Sequence, residues 1–166
     1  MAKTFLDDLV ECPAKALHMI GTDPTVVQLL TDNPNVDMQS DEADEVFDKF
    51  LFDYGYVDGS TAEAAAYICV EAETSSPSSP TMQGIRLYVT IICHKQFMKL
   101  DAGKFKGMIG NRRDNLVRYV DKLLNGSDIF GVGSLTLASA KTVPAPFGFS
   151  AREMTYYVSD FHPRRV

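Results

Sequence analysis

Residues 84–94 read GIRLYVTIICH, and their alternation decides the fold class. In an extended chain Ile85, Leu87, Val89, Ile91 and Cys93 share one face, while Arg86, Tyr88, Thr90, Ile92 and His94 share the other. Upstream, residues 65–73 (AAYICVEAE) alternate in the same way, with Ile68 and Val70 on one side and Tyr67, Cys69 and Glu71 on the other. The segment between them, TSSPSSPT at 74–81, holds no large apolar residue and cannot bury enough surface to offset its ordering entropy. Together the three predict a long antiparallel hairpin with a mobile tip at about 74–84, its register fixed by burial rather than by the turn.

Downstream of the hairpin, residues 95–111 (KQFMKLDAGKFKGMIGN) form a long basic connection, a length uncommon in compact domains unless the loop is used. Asn111 can then cap a helix, with Asp114 as the acidic partner of a capping box. From 112 to 125 the residues Leu116, Val117, Tyr119, Val120, Leu123 and Leu124 make one apolar stripe. Arg112, Arg113, Arg118, Asp121 and Lys122 are placed mostly away from that stripe, and Asn125-Gly126 stops the helix. Residues 133–142 and 152–161 alternate as two further strands around the Pro/Gly-rich turn VPAPFGFSA at 143–151, and the chain ends in a basic HPRRV.

Upstream of the hairpin the pattern is weaker. Asp23-Pro24 starts a short helix carrying Val26, Val27, Leu29 and Leu30, and Thr31-Asp32-Asn33-Pro34 stops it. Phe5, Leu6, Leu9 and Val10 have helical spacing, but Pro13 is expected to end any helix there and Gly21 to break the chain again. Residues 35–45 (NVDMQSDEADE) read as a solvated acidic loop, followed by an aromatic-rich stretch ending in YVDGS. The sum is an α+β fold, an antiparallel sheet packed against one long and one or two short helices, in a single domain spanning residues 1–166.

Composition bounds the function. A length of 166 residues fits one domain, and a 45% hydrophobic fraction is enough for a real core. No run of about 18 apolar residues exists, so no membrane span is expected. The first residues carry acids where a signal peptide needs a basic stretch, which argues against export. Cys12, Cys69 and Cys93 cannot all pair and lack a CxxC spacing, as in a reducing cytosol. Net charge is −6, but unevenly spread. Residues 1–85 hold three basic residues against sixteen acids, a net of −13; residues 86–166 hold thirteen against six, a net of +7. Either folding interleaves the two halves, or complementary surfaces meet on neighbouring copies.

Catalytic chemistry finds little support. His18, His94 and His162 lack partners at metal-ligand spacing, so neither a metal site nor a cofactor is expected. GSDIFGVGS at 126–134 lacks both a nucleophile elbow and the third glycine and lysine of a phosphate loop, so it reads as a tight turn. Cys93 and His94 are adjacent on a strand and point to opposite faces. The acids Asp41, Glu42, Asp44 and Glu45 lack the central glycine of a calcium loop and read as a solvated face. The basic stretch carries more information: Lys95, Lys99, Lys104, Lys106, Arg112 and Arg113 are interleaved with Phe97 and Phe105 and opposed there only by Asp101. Such a pattern grips a nucleic-acid backbone or an acidic protein surface, and the chain's own N-terminal half supplies the latter.

The succession AYICVEAE, a polar insertion, IRLYVTIICHKQFMKLD, then NRRDNLVRYVDKLLNGSDIFGVGSLTLAS and a closing REMTYYVSDF resembles the small neck proteins of tailed bacteriophages, in particular tail terminator (head–tail joining) proteins. The resemblance covers roughly residues 24–161. It implies a structural virion protein without enzymatic activity, found in the tail and neck and, during assembly, in the host cytoplasm. It further implies a ring, usually of six copies, that caps the tail tube and docks to the head connector. DNA would pass through its lumen as cargo. A head-to-tail ring needs two unlike, complementary patches per subunit. Arg112, Arg113 and Lys106, with Lys99, Lys104, Phe97 and Phe105, are the candidates for one patch, and Asp41, Glu42, Asp44 and Glu45 for the other. Residues 76–84 and 97–108 are candidate docking loops. A head-completion (stopper or adaptor) protein is the nearest alternative, and a nucleic-acid-binding accessory protein using residues 95–118 the next.

Overall fold

The computed structural model describes residues 5–55, 63–74, 83–130 and 133–160. Three helices come first: α1 (Phe5–Gly21), α2 (Pro24–Thr31) and α3 (Asp41–Lys49). A two-residue strand β1 (Leu51–Phe52) leads to the hairpin β2 (Ala66–Thr74) and β3 (Gln83–His94). After the basic loop come α4 (Arg112–Leu124), β4 (Thr136–Val143) and β5 (Phe149–Asp160).

The five strands lie in the order β1-β2-β3-β5-β4. β2 pairs antiparallel with β3 from Ala66↔Cys93 to Thr74↔Ile85, as the alternation requires. β5 takes the other side of β3, and β4 forms the outer edge. The sheet is mixed rather than purely antiparallel, because β1 runs parallel to β2. The expected two faces are present. Ile68, Val70, Ile85, Leu87, Val89, Ile91, Cys93, Met154 and Tyr156 are buried with side chains from α1, α2 and α4. On the reverse, Tyr67, Cys69, Ile92, Phe149 and Ala151 make a smaller cluster against Phe50, Phe52, Val143 and Ala145. The proposed hairpin tip falls mostly within 75–82, outside the described residues.

Two expectations about the N-terminal third are corrected. Pro13 does not end a helix: α1 runs through it for 17 residues. Cys12, Ala16 and Ile20, at spacings of four, are fully buried there, so tertiary packing outweighs the backbone hydrogen bond a proline removes. The acidic segment is not all loop, since α3 starts at Asp41 behind Ser40. Asp41, Glu42 and Asp44 sit in the first turn, where the helix dipole favours negative charge, and Ala43 and Val46 supply the buried side. By contrast α2 matches its reading, with the Val26 N–H donating to Asp23 Oδ1 at 2.9 Å.

Candidate interaction surface

The basic loop is not a free strap, and the residue that fixes it is Arg112. Its side chain is 2% exposed. Nε donates to the Phe97 carbonyl (2.8 Å), one terminal nitrogen donates to the Leu29 carbonyl (2.6 Å), and the other pairs with Asp32 Oδ1 (2.6 Å). The guanidinium also stacks 3.8 Å from the centre of the Phe97 ring. Arg112 therefore ties the start of the loop and the first turn of α4 to the last turn of α2, where carbonyls lack helical partners. Asp32 stands just past α2 with φ 56°, a left-handed conformation that aspartate tolerates. From the far side Lys104 Nζ reaches the same carboxylate at 2.7 Å. Burial opposes ionisation of Asp32, but the hydrogen bonds and charges of Lys104 and Arg112 outweigh it and hold the carboxyl below its usual range.

A second node lies beside it. Asn111 caps α4 by accepting from the Asp114 N–H (2.8 Å), but the return bond of a capping box is replaced by one from the Asn111 side-chain amide to Asp114 Oδ2 (2.9 Å). Arg113, 8% exposed, donates to Asp114 Oδ1 (3.0 Å) and to Ser150 Oγ (2.6 Å), and Arg152 approaches Asp114 from β5. For Asp114 too, burial works against ionisation, and Asn111, Arg113 and Arg152 together pull its carboxyl below the usual range.

These positions correct part of the predicted interface. Arg112 and Arg113 are interior residues committed to Asp32, Asp114, Ser150 and backbone carbonyls of their own chain, so they are not surface partners for Asp41, Glu42, Asp44 and Glu45. Phe105 is buried in the core and Phe97 is half-buried under Arg112, so neither is an exposed anchor. Lys104 is exposed but paired with Asp32. Lys99 and Lys106 are exposed, as are Asp41, Glu42, Asp44 and Glu45 on α3. Glu45 binds Lys49 one turn on, and Glu42 accepts from Asn33 Nδ2 at 3.0 Å. Because Asn33 adjoins Asp32, the acidic helix and the basic loop converge on the end of α2, and there the charges of the two halves interleave.

Asp32 and Asn115 are the functional-looking residues that the sequence reading passed over. Asn115 is buried and donates to the carbonyls of Ile109 (3.0 Å) and Asn111 (2.9 Å), which fixes the last turn of the loop. The loop thus presents a set shape, with Lys99, Lys106 and Ile109 outward. Among the described residues, Phe147, on the β4–β5 turn, is the other large apolar side chain left almost wholly exposed, at 97%. Cys93 and His94 do face opposite ways: burial pushes the Cys93 thiol up to about 11, whereas the His94 ring meets Phe149 edge-on at 4.9 Å. Among the described residues no group of three or more metal-capable side chains converges, and no helix is long and apolar enough to cross a membrane.

A family model described as YomW matches residues 23–158, and the chain belongs to that family, which is phage-associated. No curated protein matches the chain.

Proposed function

We propose that this member of the YomW family is a structural subunit of a phage neck: a ring-forming tail terminator that caps the tail tube and joins it to the head connector, with DNA passing through the lumen. The chain acts by contact and performs no covalent chemistry. One observation carries the reading. The 95–111 loop is tied down by Arg112 and Asn115 while Lys99, Lys106 and Ile109 are exposed, at the same time as α3 offers an exposed acidic face of its own. Rigid unlike patches are what head-to-tail assembly uses, because ordering costs on docking are then small. The burial of Arg112 and Arg113 and the pairing of Lys104 leave few cations for a phosphate backbone, which weighs against duplex binding as the main role.

Negative-stain microscopy of the purified protein, alone and mixed with tail tubes, tests this directly. Rings, or caps at one tube end, are expected. Attachment to capsids with no response to tubes would move the assignment to a head-completion protein. A monomer that ignores both would overturn the neck reading.

A further inference from the structure

The tip of the basic loop is built to present one side chain. Gly107 and Gly110 take positive φ, 81° and 91°, and bracket Met108 and Ile109. Met108 packs partly against the core, whereas Ile109 points away from it and is 87% exposed. The backbone under Ile109 is pinned by Asn115, so an apolar side chain stands outward on a support that loses little freedom when it docks. Lys106 lies three residues earlier and is exposed.

Between the end of α2 and α3, Thr31, Glu42, Glu45, Lys49 and Phe50 line a recess of about 200 Å³. Half-buried Phe50 gives it an aromatic wall, and Glu42 and Glu45 of α3 give it an acidic rim. Lys49, the cation among the lining residues, is engaged by Glu45. An aromatic recess with a negative rim complements an isoleucyl tip with a lysine three residues away, in apolar character and in charge.

We infer that these are the two halves of one contact between copies of this chain: Ile109 of one copy seats against Phe50 of the next, and Lys106 meets the Glu42 and Glu45 rim. Tip and recess are built from different residues, Ile109 and Lys106 on the one hand and Thr31, Glu42, Glu45 and Phe50 on the other, so one copy can offer its tip to a second copy's recess. The contact rests on the self-association in the proposed function but not on a place in the virion.

Sedimentation of the full chain over a range of concentrations, at low and high salt, reads this contact. Wild type is expected to associate with rising concentration and to dissociate with salt. Ile109→Asp, a change at an exposed site that should leave the circular dichroism spectrum intact, is expected to weaken association roughly tenfold or more. Lys106→Glu should weaken it as well, and combining that change with Glu42→Lys and Glu45→Lys should restore it. Association unchanged in Ile109→Asp would overturn the contact even if rings form. Association lost in that variant, with no closed ring in the wild type, would support the contact and count against the ring. A wild type that stays monomeric to its solubility limit would overturn the contact, and the ring is then read from the tube ends alone.

Discussion

Arg112 stands four residues before Leu116, which stands four before Val120 and eight before Leu124, and all four are buried. That spacing sets the arginine, despite its charge, on the core stripe, which corrects the expectation that it lies mostly away from it. What resolves the conflict is a set of acceptors supplied from 80 or so residues away, the Leu29 carbonyl and Asp32, which local pattern does not reveal. Arg112→Lys keeps the charge but cannot span three acceptors and a ring face, and should cost on the order of 3 kcal/mol in urea unfolding. An unchanged midpoint would mean the fork is not holding α2 to α4. The partner carboxylates set the acid limit. Asp32 and Asp114 are held low in the folded chain, so their contribution is present above the unfolded value near pH 4 and is lost as pH falls through their folded values. Stability should drop steeply below about pH 4, and Asp32→Asn should flatten that slope while lowering stability at neutral pH. A slope identical in the variant would place the titration elsewhere.

Caps separate the helices that sequence makes plain from those it hides. Asn111 and Asp23 each accept a backbone N–H in the first turn, and both helices were legible from these residues. Ser40 stands at the same position before α3 but makes no capping hydrogen bond through its side chain, and the five acids after it look like a solvated run. Only Ala43 and Val46 mark its buried side. Asn111→Ala should accordingly cost about 1–2 kcal/mol, and Ser40→Ala should stay within about 0.5 kcal/mol. Equal losses in thermal or urea unfolding would contradict the assigned caps. β3 was legible because alternation and burial largely agree along it, and β2 because its residues alternate even though both faces are buried from Ala66 to Val70, whereas β1 has two residues, too few for any period to register. Gly21 gives the close crossing at the end of α1: a Cβ there would lie 2.4 Å from Phe47 Cζ and 2.8 Å from Leu51 Cδ1. That glycine looked like a break in the chain, although it serves as a point of contact.

Over the whole molecule, the divided charge is partly an internal matter and partly a surface one. Asp32 takes Lys104 and Arg112 from the other half, while α3 on one side and Lys99 and Lys106 on the other leave unlike charge exposed. The family match spans residues 23–158 and so excludes α1, yet the buried cluster does not respect that boundary. Cys12, Ala16 and Ile20 are no more than 2% exposed, α1 packs on β2, and the Cys12 thiol and the Lys15 ammonium reach the carbonyls of Phe130 and Ile129 beyond α4. Removing residues 1–21 would uncover the helix-facing side of β2 as well as the surface α1 buries, a loss on the order of 5 kcal/mol or more. Natural domains hold only about 5–15 kcal/mol in all, so a chain starting at Thr22 should melt far below the full chain, bind a hydrophobic dye and lose near-ultraviolet dichroism. If that shortened chain instead melts cooperatively at the same temperature as the full one, α1 is an appendage, and the family's matched span is a fold complete in itself.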